Sequence, residues 1–228
     1  MVRTGRLRAF RIVLFAVATL IAVPASVVLR AVFFPPRLDV PSIKGEPSYQ
    51  DPALLERAWH LPVAATYQRR LFYQPNGSVC GPTSVANVER SLGHESASVD
   101  SVLAGSGKCW SGLCLMGLSL DELADVARHA SSRQVTVLRD LTLPQFRAEL
   151  AHVNDPNRRY IVNFQRAMLF GQGGGHHSPI AGYLEAEDLV LVLDVNENFK
   201  PWLVKSERLF QAVDIADSGK KRGLLRIE

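Results

Sequence analysis

The segment most diagnostic of this protein's architecture is Gln74-Pro75-Asn76-Gly77-Ser78-Val79-Cys80-Gly81-Pro82-Thr83. It leads into a predicted helix over residues 81–92, with a proline in the first turn and Gly93 at the end. The first turn of a helix offers unpaired N–H groups and the positive end of the helix dipole, and both lower the pKa of a thiol. Cys80 is therefore predicted to be a nucleophile rather than an inert buried cysteine.

A histidine and a carboxylate downstream complete a possible reaction centre. His176 lies in a predicted glycine-rich turn before a strand at residue 180, and Asp194 ends the apolar run 189–193. A turn near residues 185–188 would bring the two side chains together, as a base and the carboxylate that orients it. His177 adjoins His176, so the residues alone offer two histidines for the role of base.

Gln74 lies six residues before Cys80. Its side-chain amide and the Cys80 backbone N–H could form an oxyanion hole, the pair of donors that stabilises a tetrahedral intermediate. Alone, a glutamine before a turn means little, and the prediction depends on its spacing to the cysteine.

The N-terminus is predicted to be a membrane anchor. Four of the first eleven residues are arginine, and residues 12–29 are uncharged and mostly apolar. The predicted organisation is a basic segment at 1–11, a transmembrane or signal-anchor helix at 12–34, a linker at 35–52 and a catalytic domain at 53–228. Positive charge before the apolar segment predicts an exported, periplasmic or extracytoplasmic catalytic domain. A cleaved signal peptide is the alternative.

Charge and element order exclude some classes of protein. The net charge of +4 is small and comes partly from the N-terminal arginines, so nucleic acid is not an expected partner.

Residues 119–122 form a capping-box sequence, and strands are predicted at 160–164, 180–184, 189–195 and 223–227. Helices followed by strands with short connections predict an α+β fold with an antiparallel sheet.

Taken together, the chain resembles the phytochelatin synthase family (glutathione γ-glutamylcysteinyltransferases), in its short prokaryotic form. The resemblance runs from about residue 73 to the C-terminus and implies the papain-like cysteine peptidase fold, with a helical lobe and a sheet lobe. The matching motifs are Gln74-x5-Cys80-Gly81, Asn163, Gly171-Gln172, Gly174-Gly175-His176-x-Ser178-Pro179, Leu193-Asp194-Val195 and Phe199-Lys200-Pro201.

The resemblance implies roles for these residues. It assigns the base to His176, with His177 at a position that the family fills variably. Asp217 and Arg222 resemble the pair that holds the γ-glutamyl unit, and Asn163 and Gly175 are further candidates for substrate binding. Cys80 would cleave the Cys–Gly bond of glutathione, and water or a second glutathione would resolve the thioester.

The resemblance also implies what the protein would bind. Glutathione is the expected partner, and no tightly bound cofactor or protein-held metal is expected. Cd²⁺ or Zn²⁺ would enter as a metal–glutathione thiolate, in keeping with a role in heavy-metal detoxification. A homodimer is left open.

Two other functions remain as alternatives. One is an exported C39-like cysteine peptidase acting on peptides, which shares the Gln-x5-Cys-Gly pattern. The other is a membrane-tethered thiol or metal-binding module using Cys80, Cys109, Cys114 and the two histidines. Cys109 and Cys114 are close enough to pair, and a disulfide or simple burial explains them equally well.

Overall fold

The computed structural model describes residue 19 and residues 37–109, 112–114, 117–217 and 219–228. Apart from residue 19, the predicted basic segment and the predicted anchor lie outside these residues. No helix within the described ranges is long and apolar enough to cross a membrane.

The described chain contains both helices and strands, with helices alone before residue 131 and a mixture of helices and strands after it. The helices are α1 Pro52–Trp59, α2 Pro62–Thr66, α3 Cys80–Ser91, α4 Val99–Leu103, α5 Leu120–Ala130, α6 Leu143–Leu150, α7 Arg166–Phe170 and α8 Ser206–Val213. The strands are β1 Val135–Leu138, β2 Arg159–Gln165, β3 Gly175–Leu184, β4 Leu189–Leu193, β5 Pro201–Lys205, β6 Ala216–Asp217, β7 Lys220–Lys221 and β8 Gly223–Ile227. Short 3₁₀ turns occur at Ile43–Gly45 and Glu185–Glu187.

Six strands form one antiparallel sheet in the order β1-β8-β2-β3-β4-β5, and β6 and β7 form a separate small hairpin. The predicted α+β class with an antiparallel sheet is therefore confirmed. β4 is buried along its whole length, which explains its unbroken Leu-Val-Leu-Val-Leu sequence, because apolar layers cover both of its faces. Pairing with β2 extends β3 back to Gly175, so His176 lies in a strand and not in the predicted turn.

Helices α3 and α5 pack together beside the sheet. The capping box predicted at Ser119 and Glu122 is present at the start of α5. Its Leu123 is fully buried and lies so close to Gly81 that a Cβ there would come within 2.9 Å of Leu123 Cδ1. The absence of a side chain at Gly81 thus lets the N-terminus of α3 approach α5 closely.

The start of the folded unit differs from the predicted boundary at residue 53. The compact unit begins at Leu38, and Ile43 and Tyr49 belong to the main hydrophobic cluster. Tyr49 stacks on Trp202 with ring centroids 6.4 Å apart, and its backbone carbonyl accepts a hydrogen bond from the Leu203 N–H. Apolar side chains within a largely polar segment therefore attach the predicted linker to β5.

Candidate active site

Cys80 is the first residue of α3, and its side chain is buried. Val79, at the cap position, makes no side-chain hydrogen bond to the first turn, so the backbone donors there remain available. Cys109 and Cys114 form a disulfide, so of the two alternatives left open by the sequence, a disulfide and simple burial, the disulfide is the one observed. Cys80 is a free thiol.

Competing influences act on the Cys80 thiol. Burial raises its pKa, but the charge of His176 and hydrogen bonds from His176 and His177 outweigh burial and hold the pKa well below the usual value. A thiolate next to an imidazolium is the reactive form of a nucleophilic cysteine.

Asp194 is fully buried and is held by several donors. Arg166 Nη2 donates to both carboxylate oxygens at 2.7 and 2.9 Å, and Trp202 Nε1 donates to Oδ2 at 3.0 Å. The Asn196 backbone N–H donates to Oδ1 at 2.9 Å. Burial raises the pKa of Asp194, but His176 and Arg166 lower it by more than burial raises it. The net shift is downward, and the group is a carboxylate.

His176 bridges the carboxylate and the thiol. Its Nε2 lies 3.0 Å from Asp194 Oδ1. A carboxylate only accepts, so Nε2 carries a proton and Nδ1 is the nitrogen that can exchange one with Cys80. Burial and the Arg166 charge lower the pKa of His176, but Asp194 and the Cys80 thiolate raise it more, and the net shift is upward.

The neighbouring histidine also contacts the sulfur. His177 Nδ1 lies 3.9 Å from Cys80 Sγ, and His177 Nε2 lies 2.8 Å from Asn163 Nδ2. His176 and His177 follow each other in β3 and pair with Phe164 and Asn163 of β2, respectively. Two imidazoles therefore act on one sulfur, the first mainly through its charge and the second through a hydrogen bond.

Gln74 is anchored beside these residues. Its backbone N–H donates to the Val195 carbonyl at 2.8 Å, immediately after Asp194. Its side-chain Oε1 is buried and has no hydrogen-bond partner among the described residues. The loop before α3 is thus fixed against the end of β4, while the role of Gln74 in an oxyanion hole stays a prediction.

The four predicted substrate-binding residues lie together. Arg222 Nη1 lies 3.0 Å from Asp217 Oδ2 and donates to Asn163 Oδ1 at 2.5 Å. Gly175 lies beneath the Arg222 guanidinium, where a Cβ would come within 2.5 Å of Nη1. Both polar atoms of the Asn163 amide are engaged, one by Arg222 and the other by His177.

A cavity of about 130 Å³ opens next to this group. Asn163, Asp217 and Arg222 contribute to its wall. The remaining lining is rich in charge, with Ser119, Leu120, Asp121, Arg139, Lys220 and Lys221. Such a wall, with cationic and anionic side chains close together, suits a small zwitterion.

Sequence reasoning missed Arg166, Trp202 and the contact of His177 with sulfur. The sequence offers only indirect evidence for such residues: a carboxylate buried at Asp194 requires hydrogen-bond donors near it. Nothing in the local sequence identifies Arg166, which lies in the short helix α7, as one of them. Within the described ranges, no three His, Cys, Asp or Glu side chains form a group that could hold a metal.

A family model described as phytochelatin synthase matches residues 43–224. Glutathione gamma-glutamylcysteinyltransferase 1 of Arabidopsis thaliana is 32% identical over 117 residues, which are 49% of this chain and 24% of that protein. Glutathione gamma-glutamylcysteinyltransferase of Schizosaccharomyces pombe is 27% identical over 117 residues, which are 49% of this chain and 28% of that protein. The chain thus spans about a quarter of the length of the curated relatives that it matches.

Among solved structures, one described as a C39-like peptidase from Bacillus anthracis is similar, with a TM-score of 0.51 and 11% identity. The similarity covers 71% of this chain and 95% of that one. At this level of identity it shows a shared papain-like fold and no more.

Proposed function

This chain belongs to the phytochelatin synthase family, and from that premise we propose that it cleaves the Cys–Gly bond of glutathione and transfers the γ-glutamylcysteinyl group. The observation that carries the proposal is the conjunction of Cys80, His176 and Asp194 with the Asp217–Arg222 pair. The former group supplies an activated nucleophile and the latter suits the amino-acid end of a γ-glutamyl peptide.

The first half-reaction follows from the charges of the site. The Cys80 thiolate attacks the carbonyl carbon of the Cys–Gly amide, and negative charge develops on the carbonyl oxygen. In this proposal the backbone N–H groups at the start of α3 and the side-chain amide of Gln74 stabilise that oxygen; the uncapped first turn of α3 supports it. His176 protonates the nitrogen of glycine, the C–N bond breaks, and a thioester remains on Cys80.

The second half-reaction regenerates the thiol. His176, now neutral and held by Asp194, accepts a proton from the incoming nucleophile. Water gives γ-glutamylcysteine, and the amine of a second glutathione gives the phytochelatin dimer. In the second case a Cd²⁺ or Zn²⁺ thiolate of glutathione is the proposed acceptor substrate, with the metal carried by the substrate.

The Asp217–Arg222 pair supports the substrate class. A guanidinium can donate to an α-carboxylate, and Asp217 can accept from an α-ammonium group. Burial lowers the pKa of Arg222 below its usual value, although the negative charges of Asp217 and of the Cys80 thiolate oppose this shift. A substrate bound at this pair would therefore lie close to the reactive sulfur.

The test is product analysis with the full chain. Wild-type protein and a Cys80→Ala variant are incubated with glutathione, with and without Cd²⁺ or Zn²⁺, and products are identified by mass spectrometry. We expect Cys80-dependent release of glycine, with γ-glutamylcysteine or its dimer as the co-product. Turnover of unrelated peptides without turnover of glutathione would favour the C39-like peptidase function instead.

We further propose that the N-terminal arginines and residues 12–34 anchor the protein with its catalytic domain outside the cytoplasm. Fractionation of cells and protease treatment of intact spheroplasts test this. The catalytic domain should fractionate with membranes and be degraded by external protease. Recovery in the cytosolic fraction with full protection would contradict the proposal.

A further inference from the structure

A second histidine faces the nucleophile, and its hydrogen bonds specify its chemical state. His177 is buried, its Nδ1 lies 3.9 Å from Cys80 Sγ, and its Nε2 lies 2.8 Å from Asn163 Nδ2. The question is which of these two ring nitrogens carries the proton.

The donor and acceptor of each hydrogen bond in this series can be assigned by starting from Arg222. Its Nη1 lies 2.5 Å from Asn163 Oδ1, and a guanidinium has donors only, so the atom of Asn163 that faces it must be the oxygen. The amide NH₂ of Asn163 therefore faces His177 and donates to Nε2. A nitrogen that accepts carries no proton, so the proton of the neutral His177 ring lies on Nδ1 and points to the sulfur.

The same geometry leaves a second proton on the His177 ring without an acceptor. Accepting a proton from Cys80 would require a ring protonated on both nitrogens, and Nε2–H would then face the N–H groups of Asn163. His176 has the opposite arrangement, because its Nε2 faces the Asp194 carboxylate, which favours a protonated ring. The two adjacent histidines are thus held in different states by an amide donor and a carboxylate acceptor.

We propose that His177 is a neutral hydrogen-bond donor to the Cys80 thiolate, oriented by Asn163 and Arg222, while His176 alone transfers protons. This role rests on the proposed function and deepens it, because it assigns the second histidine of the same site. Asn163 and Arg222 are positioning residues in this arrangement. The Asp217–Arg222 substrate pair is thereby linked to the nucleophile through two side chains.

A donor to sulfur favours the thiolate over the thiol. The titratable or charged side chains that act on Cys80 are His176 and His177 of β3 and Arg222 before β8. Removing the His177 donor leaves the charges of His176 and Arg222 in place. The expected effect is thus a partial rise in the pH at which the thiol ionises.

The first test measures the rate of Cys80 alkylation by iodoacetamide against pH in the full-length protein, without glutathione. We expect His177→Phe to shift the midpoint upward by about one pH unit. His177→Asn is the matched variant, because its amide NH₂ can replace the Nδ1–H donor but cannot titrate. It should keep a midpoint near that of the wild type.

Two outcomes would overturn the proposal. An unchanged midpoint in His177→Phe would show that the donor has no influence on the thiolate. A shift in His177→Asn as large as that in His177→Phe would show that an imidazole, and not merely a donor, is needed. Since neither measurement uses glutathione, the result stands apart from the outcome of the glutathione assay.

A second test needs no folded variant of His177. ¹⁵N NMR of the wild-type imidazoles should show His177 neutral with its proton on Nδ1, and Asn163→Asp should convert it to the doubly protonated ring. Detection of a doubly protonated His177, or of a proton on Nε2 alone, in the wild-type protein would contradict the assignment.

Discussion

Cys80, His176 and Asp194 lie in a site with little access to water, where the balance of charge fixes each protonation state. The carboxylate is stabilised by Arg166 and Trp202, the imidazolium by the carboxylate, and the thiolate by the imidazolium. Each shift depends on the next group in the series. The pH dependence of the reaction should therefore report the coupled pair Cys80–His176 rather than two independent residues.

The first prediction concerns this pH dependence. The pKa of Cys80 is lowered, so the thiolate persists to a lower pH than an ordinary thiol, and the pKa of His176 is raised, so the imidazolium persists to a higher pH. A plot of kcat/KM for glutathione against pH should be a broad bell, with its acid limb well below the ordinary thiol pKa of about 8.5.

Asp194→Asn provides the control for this profile. It removes a charge that raises the pKa of His176, so the alkaline limb should move to lower pH. An acid limb near the ordinary thiol pKa in the wild-type protein would contradict the activated thiolate.

The sequence predicted these three residues because each lies at a recognisable position, namely a helix start, a glycine-rich stretch before a strand and the end of an apolar strand. Arg166 could not be predicted in the same way. It lies 28 residues from Asp194, and only the pairing of β2, β3 and β4 brings them together. Long-range contacts of this kind leave no periodic pattern in the sequence.

At the scale of elements, the contact between α3 and α5 positions the nucleophile. Gly81→Ala would place a Cβ 2.9 Å from Leu123 Cδ1, within a buried contact. Overpacking of this kind costs about 1–3 kcal/mol, which exceeds the gain of about 0.5–1 kcal/mol from replacing glycine in a helix. We expect a lower Tm and reduced glutathione cleavage, measured by thermal unfolding and by initial rates.

Gly77→Ala is the matched control, since the position lies in the loop just before α3 and a Cβ there meets no atom within 4 Å. It should retain Tm and activity. Equal behaviour of the two variants would show that the close approach of α3 to α5 does not position Cys80.

A second prediction at this scale concerns the start of β3. Gly175→Ala would place a Cβ 2.5 Å from Arg222 Nη1, so the guanidinium must move away from Asp217 and Asn163. Loss of one charge-assisted contact to substrate corresponds to about a tenfold or greater fall in kcat/KM.

Gly174→Ala tests whether the effect is specific, because a Cβ at that position meets nothing within 4 Å. Its kcat/KM should match that of the wild type. If Gly175→Ala were as active as Gly174→Ala, Arg222 would not be part of substrate binding.

Elements with strong local signals were predictable and others were not. Helix α3 and the capped helix α5 agree with the sequence, because glycine, proline and capping-box residues determine their ends locally. β5 was not predicted, although Trp202, Leu203 and Val204 are buried. Proline at its first position and only three apolar residues give a weak strand pattern, and pairing with β4 determines its structure.

At the scale of the whole molecule, the segment before α1 belongs to the compact unit that contains Cys80, His176 and Asp194. Tyr49 contacts Phe170 and Trp202, and Trp202 in turn donates to Asp194. The predicted linker thus packs against the aromatic rings that contact Asp194. The sequence did not predict this packing, because the segment is largely polar and its few buried apolar residues form no periodic pattern.

Substitutions of Tyr49 test that role. Its hydroxyl is buried with no hydrogen-bond partner among the described residues, so Tyr49→Phe should leave the free energy of unfolding unchanged or slightly higher. Tyr49→Ala should lower it by about 3–5 kcal/mol through lost aromatic packing. Chemical denaturation measures the free energy of unfolding of both variants. An unchanged value in Tyr49→Ala would show that the segment is a linker, as the sequence predicted, and does not stabilise the folded unit.

The central claim is that Cys80 carries the γ-glutamylcysteinyl group during turnover. Rapid acid quenching of the full-length protein with glutathione, followed by intact-protein mass spectrometry and peptide mapping, tests it most directly. We predict a γ-glutamylcysteinyl adduct on Cys80 that hydroxylamine removes, as expected for a thioester, and no adduct in Cys80→Ala. Glycine release without an adduct on Cys80, or an adduct that persists in Cys80→Ala, would contradict the account.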